Sequence, residues 1–340
     1  MHILVIRFSA MGDVAMAVPV IKAVLQQHPH VHITFVSNAF FAPLFKNTER
    51  CNFYGAHTKG IHQGFAGIYK LYTALKKLQR FDAVADIHNV LRSNLLRKFF
   101  LLSGIGNAVI NKGRQQKKQL TAKQNKILQQ LPSSHERYAQ VFAALGLPVN
   151  LQTNNLFAAK EKLPQKFEPL INKHKKLIGV APFAKHKEKM YPPDKMKLLL
   201  LELNNREDVQ LLFFGAPGAE ASLLEEWQKE MPGTLNAAGK ISFEEELHLI
   251  SNLTLMVSMD SANMHLASIY RVPVVSVWGA THYFAGFYGW GQDVNNLVEA
   301  DLYCRPCSVF GNKPCYRGDN ACMHMITTRM LMEKIEANIV

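Results

Sequence analysis

Three short segments carry residue types that could do chemistry. Ser9-Ala10-Met11-Gly12-Asp13 lies at the turn between an apolar run, residues 2–8, and an Ala- and Val-rich segment, residues 11–27. An acid at a strand-to-helix turn has two readings, a carboxylate favoured by the helix dipole or a general base. Ser258-Met259-Asp260-Ser261-Ala262-Asn263-Met264-His265 also follows an apolar strand and opens a helix, whose unpaired first-turn N–H groups suit a diphosphate. There Asp260 reads as an N-cap or a functional acid, and His265 as a core histidine or a functional one. Lys185, Lys187 and Lys189 follow the apolar run LIGVAP, as a solvated charge run or an anion site. Two anion-competent loops in one half of the chain favour phosphate binding. No Asp-x-Asp pair occurs to hold a divalent ion beside a diphosphate, so positive charge must come from lysine and helix N-termini. Gly215-Ala-Pro-Gly218 lacks the three spaced glycines of a dinucleotide fingerprint, which disfavours a dehydrogenase.

The elements that must position these residues alternate. Apolar runs at 2–8, 31–38 and 81–87 are separated by helical patterns at 11–27 and 65–78, with a further helix at 89–102, and the Gln- and Lys-rich residues 111–132 read as a surface loop plus helix. The period resets after the polar stretch Lys160 to Lys176, with strands at 177–182, 209–216, near Leu235, at 254–259 and 272–279. Strand–helix alternation of this kind specifies an α/β chain with parallel, doubly wound sheets. Residues 1–165 and 176–325 are expected as two such domains facing a cleft, with 326–340 a helix packing back toward the first. The loops at 9–13, 181–189, 215–220, 258–263 and 279–282 fall at the carboxyl ends of strands, where ligands bind in open parallel sheets.

The 340 residues are 48% hydrophobic and 10% aromatic, ordinary for a globular chain, and carry a formal charge of +13. The charge is local: no acidic residue occurs between Asp86 and Glu136, where Arg92, Arg97, Lys98, Lys112, Arg114, Lys117, Lys118, Lys123 and Lys126 lie. Such a surface selects anionic partners. Lys117 and Lys118 are expected on a mobile segment drawn to anionic membranes. No secretory signal is visible, and the uncharged stretch Val272 to Gln292 contains Pro273 and four glycines, so a cytosolic chain is expected. Cys304, Cys307, Cys315 and Cys322 make C-x2-C-x7-C-x6-C, which approaches zinc-ligand spacing; free thiols or a labile disulfide are read ahead of a structural zinc.

Taken together, ILVIRFSAMGDVAMAVPVIKAVLQQHP, FDAVADIHNVLRS, HERYAQVFAALGLP, GVAPFAKHKEKMYP and VSMDSANMHLASIYRVPVVSVWGATH resemble glycosyltransferase family 9, the ADP-heptose:lipopolysaccharide heptosyltransferases, from residue 1 to about 326. The resemblance implies a GT-B architecture of two Rossmann-like domains, with acceptor bound by the first and nucleotide sugar by the second. It also implies inverting, metal-independent transfer with no cofactor beyond the donor, ADP-heptose. The family's base falls on Asp13, its lysine on Lys189 two residues before Tyr191, and its Asp-Ser-Gly-x-x-His-Leu motif on Asp260, Ser261, Met264 and His265. This chain has Ala262 where that motif has glycine, and Tyr191 where tryptophan is commoner.

The expected donor set is therefore Lys189, Glu220, Ile241, Asp260, Ser261, Ala262, Asn263 and His265. The expected acceptor set is Ser9, Gly12, His88, Arg92 and Arg114, serving an anionic glycolipid at the inner face of the cytoplasmic membrane. Two rivals stand beside this reading: a protein of the same fold that binds sugar nucleotides without transfer, and a basic nucleic-acid-binding protein. The basic stretch holds only Phe99 and Phe100 as aromatics and no base-reading motif, so no nucleic-acid partner is expected.

Overall fold

Short apolar runs at 2–6, 32–38 and 83–86 are buried almost throughout, as strands in the middle of a parallel sheet must be. In the computed structural model, which describes residues 1–152 and 156–339, the first half contains β1 (His2–Ile6), α1 (Met11–Ala15), α2 (Ala17–Gln27), β2 (His32–Asn38), β3 (Cys51–Ala56), α3 (Gly64–Leu78), β4 (Ala83–Asp86), α4 (Leu91–Leu102), β5 (Gly106–Val109), α5 (Arg114–Leu120) and α6 (Ser134–Ala143). Its strands form one parallel sheet in the order β3-β2-β1-β4-β5. The helix expected over 11–27 is broken at Met16. Pro19 explains the break, because its ring crowds the carbonyl four residues back, at Ala15.

The second half contains β6 (Lys176–Ala181), α7 (Pro193–Asn204), β7 (Val209–Phe213), α8 (Ala219–Glu230), β8 (Leu235–Asn236), α9 (Phe243–Ile250), β9 (Leu255–Met259), α10 (Ala262–Ile269), β10 (Val274–Trp278), β11 (Leu297–Glu299), α11 (Ala321–His324) and α12 (Thr328–Asn338). Its parallel sheet has the order β11-β10-β9-β6-β7-β8. In each sheet the chain starts at a central strand, builds outward on one side, then returns to the other. The two places where strand order reverses, β1 beside β4 and β6 beside β9, are where such sheets offer a binding crevice.

Two calls on domain organisation need correction. The compact units are Met1–Lys112 with Pro132–Leu156, and Gly113–Leu131 with Phe157 onward, so α5 and the segment after it belong with the second half. Leu120 and Leu131 pack with Ala285, Phe284 and Phe287, and Leu131 N–H donates to the Phe284 carbonyl at 2.9 Å. Lys126 Nζ donates to the carbonyls of Cys304 (2.7 Å), Pro306 (3.0 Å) and Tyr303 (3.4 Å). Lys117, expected on a mobile segment, is buried, with its ammonium 4.0 Å from the centre of the Phe287 ring. The C-terminal helix, expected to pack back toward the first unit, is part of the second unit's own core. Leu331, Met332, Ile335 and Ile339 of α12 and the residue after it sit in the second unit's core with Leu199, Leu203 and Val298. No helix among the described residues is long and apolar enough to cross a membrane.

Candidate active site

The first group forms where β1 and β4 end side by side, with Ile6 opposite Asp86. The chain leaves β1 through Arg7, which is buried, and a buried guanidinium requires partners. It has them: Nη2 lies 2.6 Å from Asp13 Oδ2 and Nη1 donates to the Ile87 carbonyl at 2.7 Å. Burial opposes the Arg7 charge, but Asp13, Tyr138 and Asp86 outweigh it and hold the guanidinium above its ordinary value. The Ala10 N–H also donates to Asp13 Oδ2, at 3.2 Å, and the buried Tyr138 hydroxyl donates to the Asp13 carbonyl at 3.3 Å. One carboxylate oxygen is thus gripped from two sides, which fixes the plane of an acid whose side chain remains 28% exposed.

His88 completes this group. Its Nδ1 accepts the Phe8 N–H at 3.3 Å, which assigns the ring proton to Nε2. Burial first, then Arg7, Lys112 and Arg92, push its pKa down to about 3 against the opposing pull of Asp13. His88 is therefore a neutral, oriented donor at physiological pH. The unfolded chain binds this proton near the ordinary value of 6.5, so between pH 3 and 6.5 it holds more protons than the native state. The stability that His88 contributes is full above pH 6.5 and falls as pH drops toward 3. His88→Asn is expected to flatten that part of the profile: wild type loses ground to the variant on acidification from pH 7 to 4. Thermal midpoints of both proteins across that range test this, and parallel curves would refute it.

Of the other expected acceptor residues, Ser9 is exposed, Gly12 half-buried, and Arg92 exposed in the first turn of α4. Arg114 is the one that falls outside the first unit. It opens α5, in the second unit, because the chain crosses over at Gly113.

The second group forms where β6 and β9 end together, with Ala181 opposite Ser258. Lys189 Nζ lies 2.8 Å from Asp260 Oδ2, with the two side chains 15% and 7% exposed. The Thr281 hydroxyl donates to the same oxygen at 2.8 Å. Lys185 and Lys187 are exposed and remain a solvated run; only Lys189 turns to an acid. Asp260 is not the N-cap of α10. Ser261 is, and its hydroxyl faces Ser258 Oγ at 3.1 Å rather than the helix, so no side chain caps the first turn. Ala262 and Asn263 in that turn are half-buried and His265 is buried. Amides at such an uncapped terminus are positioned for an anion.

Glu220, in the first turn of α8, uses Oε2 to accept the Ala216 N–H at 2.8 Å and so closes the loop after β7. Ile241 is half-buried on the loop before α9, beside its N-cap Ser242. Tyr191, two residues beyond Lys189, is a core residue: it is 1% exposed, its hydroxyl donates to the Ile326 carbonyl at 3.2 Å, and burial pushes its pKa up to about 12.

Sequence reasoning missed several residues that hold this second group. Arg305 spans the carbonyls of Gly279 (2.6 Å), Ala300 (2.7 Å) and Thr281 (3.2 Å) and pairs with Glu299 at 2.8 Å, fixing the strand end that carries Thr281. Gly311, at φ +72°, lies against the Lys189 stem, and a Cβ there would overlap Cγ and Cδ of that lysine. The four clustered cysteines are free thiols, with Cys307 Sγ toward the Ala280 carbonyl, Cys315 toward Asp319 and Cys304 toward Arg317. Among the described residues no group of three or more His, Cys, Asp or Glu is placed to hold a metal, so the zinc reading of this spacing gains no support.

The family model for glycosyltransferase family 9 (heptosyltransferase) matches residues 68–314. A lipooligosaccharide heptosyltransferase 2 of Campylobacter jejuni is 28% identical over 184 residues, covering 52% of this chain and 56% of that protein. The chain thus spans little more than half the length of that relative. Among solved structures, a family 9 glycosyl transferase from Veillonella parvula superimposes with a TM-score of 0.77 at 17% identity, covering 99% of this chain and 97% of that one. Escherichia coli heptosyltransferase WaaC with ADP gives a TM-score of 0.70 at 18% identity, covering 99% and 100%. The two parallel α/β sheets are thus those of the GT-B glycosyltransferases, and with most of its length matched by the family model, the chain belongs to glycosyltransferase family 9.

Proposed function

We propose that this protein is an inverting glycosyltransferase that moves heptose from ADP-heptose to a lipopolysaccharide core or related anionic glycolipid. The observation that carries this is the placement of one acid at the switch point of each sheet, Asp13 and Asp260, each held by a buried or nearly buried cation. The ADP in the WaaC structure and the name of the Campylobacter relative, a lipooligosaccharide heptosyltransferase, support the choice of donor and acceptor class.

In this reading Asp13 takes the proton from an acceptor hydroxyl as that oxygen bonds to the anomeric carbon, and the bond to the diphosphate breaks on the opposite face. Arg7 and the Ala10 amide orient the base, and the neutral His88 presents its Nε2 proton to the acceptor together with Ser9, Gly12 and Arg92. Arg114 is assigned to the acceptor's anionic groups. Lys189, shared between Asp260 and the diphosphate, and the first-turn amides at Ser261, Ala262 and Asn263 stabilise the departing charge, with His265 behind them. Glu220 holds the ribose and Ile241 borders the nucleoside. The enzyme works from the cytoplasm, peripherally at the inner face of the cytoplasmic membrane, with no cofactor and no nucleic-acid partner.

ADP release from ADP-heptose in the presence of a truncated core acceptor tests the reading. Stabilisation by ADP-heptose without turnover would favour a donor-binding protein of the same fold instead. Activity is expected to survive EDTA, because lysine and helix amides occupy the role that a cation bound by paired carboxylates plays elsewhere. Turnover lost to EDTA and restored by magnesium would overturn this part.

A further inference from the structure

We infer that the paired outer faces of α3 and α4 form the surface by which this protein lies on an anionic phospholipid bilayer. The inference deepens the peripheral association proposed above and rests on it only in that a lipid-borne acceptor gives such contact a purpose.

The two helices pack against each other and leave apolar groups outside. Phe65 is 67% exposed, Leu91 86% and Leu102 85%. On α3, Phe65 and Tyr69 stand one turn apart; on α4, Leu91, Leu95, Lys98 and Leu102 follow the i, i+4, i+7, i+11 spacing of a single stripe. Phe99 joins the two stripes, its ring 5.6 Å from Phe65, 5.4 Å from Tyr69 and 5.5 Å from Tyr72. Phe65, Tyr69 and Phe99 thus make one apolar cluster across the two helices, flanked on α4 by the exposed Leu91 and Leu102, and such a band marks an interaction site.

The charge around it selects the partner. Lys70, Lys76 and Lys77 lie on α3 and Arg92 and Lys98 on α4, neither helix carries an acid, and Arg97 is turned inward to the buried Asp86. Exposed aromatic and leucine side chains edged by lysine and arginine are the composition of a face that settles into the headgroup region of anionic lipid. A second copy of this chain meets the band poorly, because a two-fold interface would set these cations against themselves. A nucleic acid would use the cations but gain nothing from leucines that cannot stack on bases.

The test is co-sedimentation of the full chain with vesicles that carry no acceptor sugar, made of phosphatidylcholine alone or with 30% phosphatidylglycerol. Wild type is expected to bind the anionic vesicles and leave the neutral ones. Lys70→Gln and Lys98→Gln are each expected to weaken that partition about fivefold at low salt. Phe65→Ser and Leu102→Ser should weaken it about as much, with unchanged thermal midpoints because both side chains are solvent-exposed in the free protein. The inference is overturned by equal binding to both vesicle types, by no binding to either, or by variants that partition like wild type. Self-association abolished by Phe65→Ser, without vesicle binding, would also overturn it and give the face to a second copy. Transfer to a deacylated, water-soluble acceptor, measured on the same variants, should stay at wild-type rate; its absence in wild type would count against the proposed activity and leave the vesicle result standing.

Discussion

Asp13→Asn is expected to lower kcat by about 10² to 10⁴ while changing donor affinity by no more than about twofold. The amide keeps the size of the carboxylate and loses its ability to take a proton. It also leaves Arg7 as a buried guanidinium with its carboxylate partner gone, so some loss of stability accompanies the loss of rate. The two effects separate in the double variant Arg7→Met, Asp13→Asn. Removing the cation as well should recover much of the thermal midpoint, because replacing both members of a buried pair is milder than removing one. Turnover should not return. Thermal midpoints, ADP-heptose affinity by calorimetry and kcat on the same three proteins decide the matter, and turnover near wild type in folded Asp13→Asn would remove Asp13 from the base role.

The Lys189–Asp260 pair should answer differently at its two ends. In the proposed role, Lys189→Met removes a charge-assisted contact to the diphosphate worth about 1.5 to 3 kcal/mol, so ADP affinity should fall roughly 10- to 100-fold. Asp260→Asn leaves the lysine in place but mostly enclosed without its counter-ion, which should destabilise the fold by about 2 to 3 kcal/mol, since breaking a fully buried pair costs about 3 to 5. Its ADP affinity should hold or rise, because Lys189 no longer divides itself between two anions. The double variant should regain stability and still fail to bind ADP. Lys189→Met binding ADP as wild type does would show that the lysine serves only the fold.

The central strands were legible because both faces of each are covered, which writes continuous apolar runs into the chain: β1, β2, β4, β6, β7, β9 and β10 all sit where the runs predict. The strands that were not expected, β3, β5 and β11, are all edge strands. β5 reads Gly-Asn-Ala-Val and is half exposed, so nothing in its composition separates it from a loop. Asp13, Lys189 and Asp260 were visible as polar groups at ends of apolar runs. Arg7 carried the same signal, a charge directly after a buried strand, yet a lone arginine does not announce its partner until the turn at 8–12 folds Asp13 back onto it. Arg305 and Gly311 were harder still: Arg305 acts on backbone carbonyls 5 to 26 residues back and Gly311 on a lysine stem more than 100 residues away, and sequence spacing holds no trace of either. Residues 113–131 were misassigned because their Gln- and Lys-rich composition describes a surface, while two leucines and two lysines decide which surface.

That excursion also sets an order of events during synthesis. The segment 113–131 leaves the ribosome about 150 to 180 residues before Phe284, Phe287 and the 303–306 carbonyls that receive it, which at about 5 to 20 residues per second is roughly 8 to 36 s. The first unit cannot close at Lys112 either, since α6 and the Tyr138 that underlies Asp13 come only after the excursion. The nascent chain thus completes its first sheet with Leu120, Leu131 and a future lysine hook still waiting for their partners. A C-terminal half started at residue 157 never receives them: it would emerge with Phe284 and Phe287 stripped of Leu120 and Leu131 and the Cys304–Pro306 turn unhooked, an aggregation-prone fragment rather than a free-standing domain.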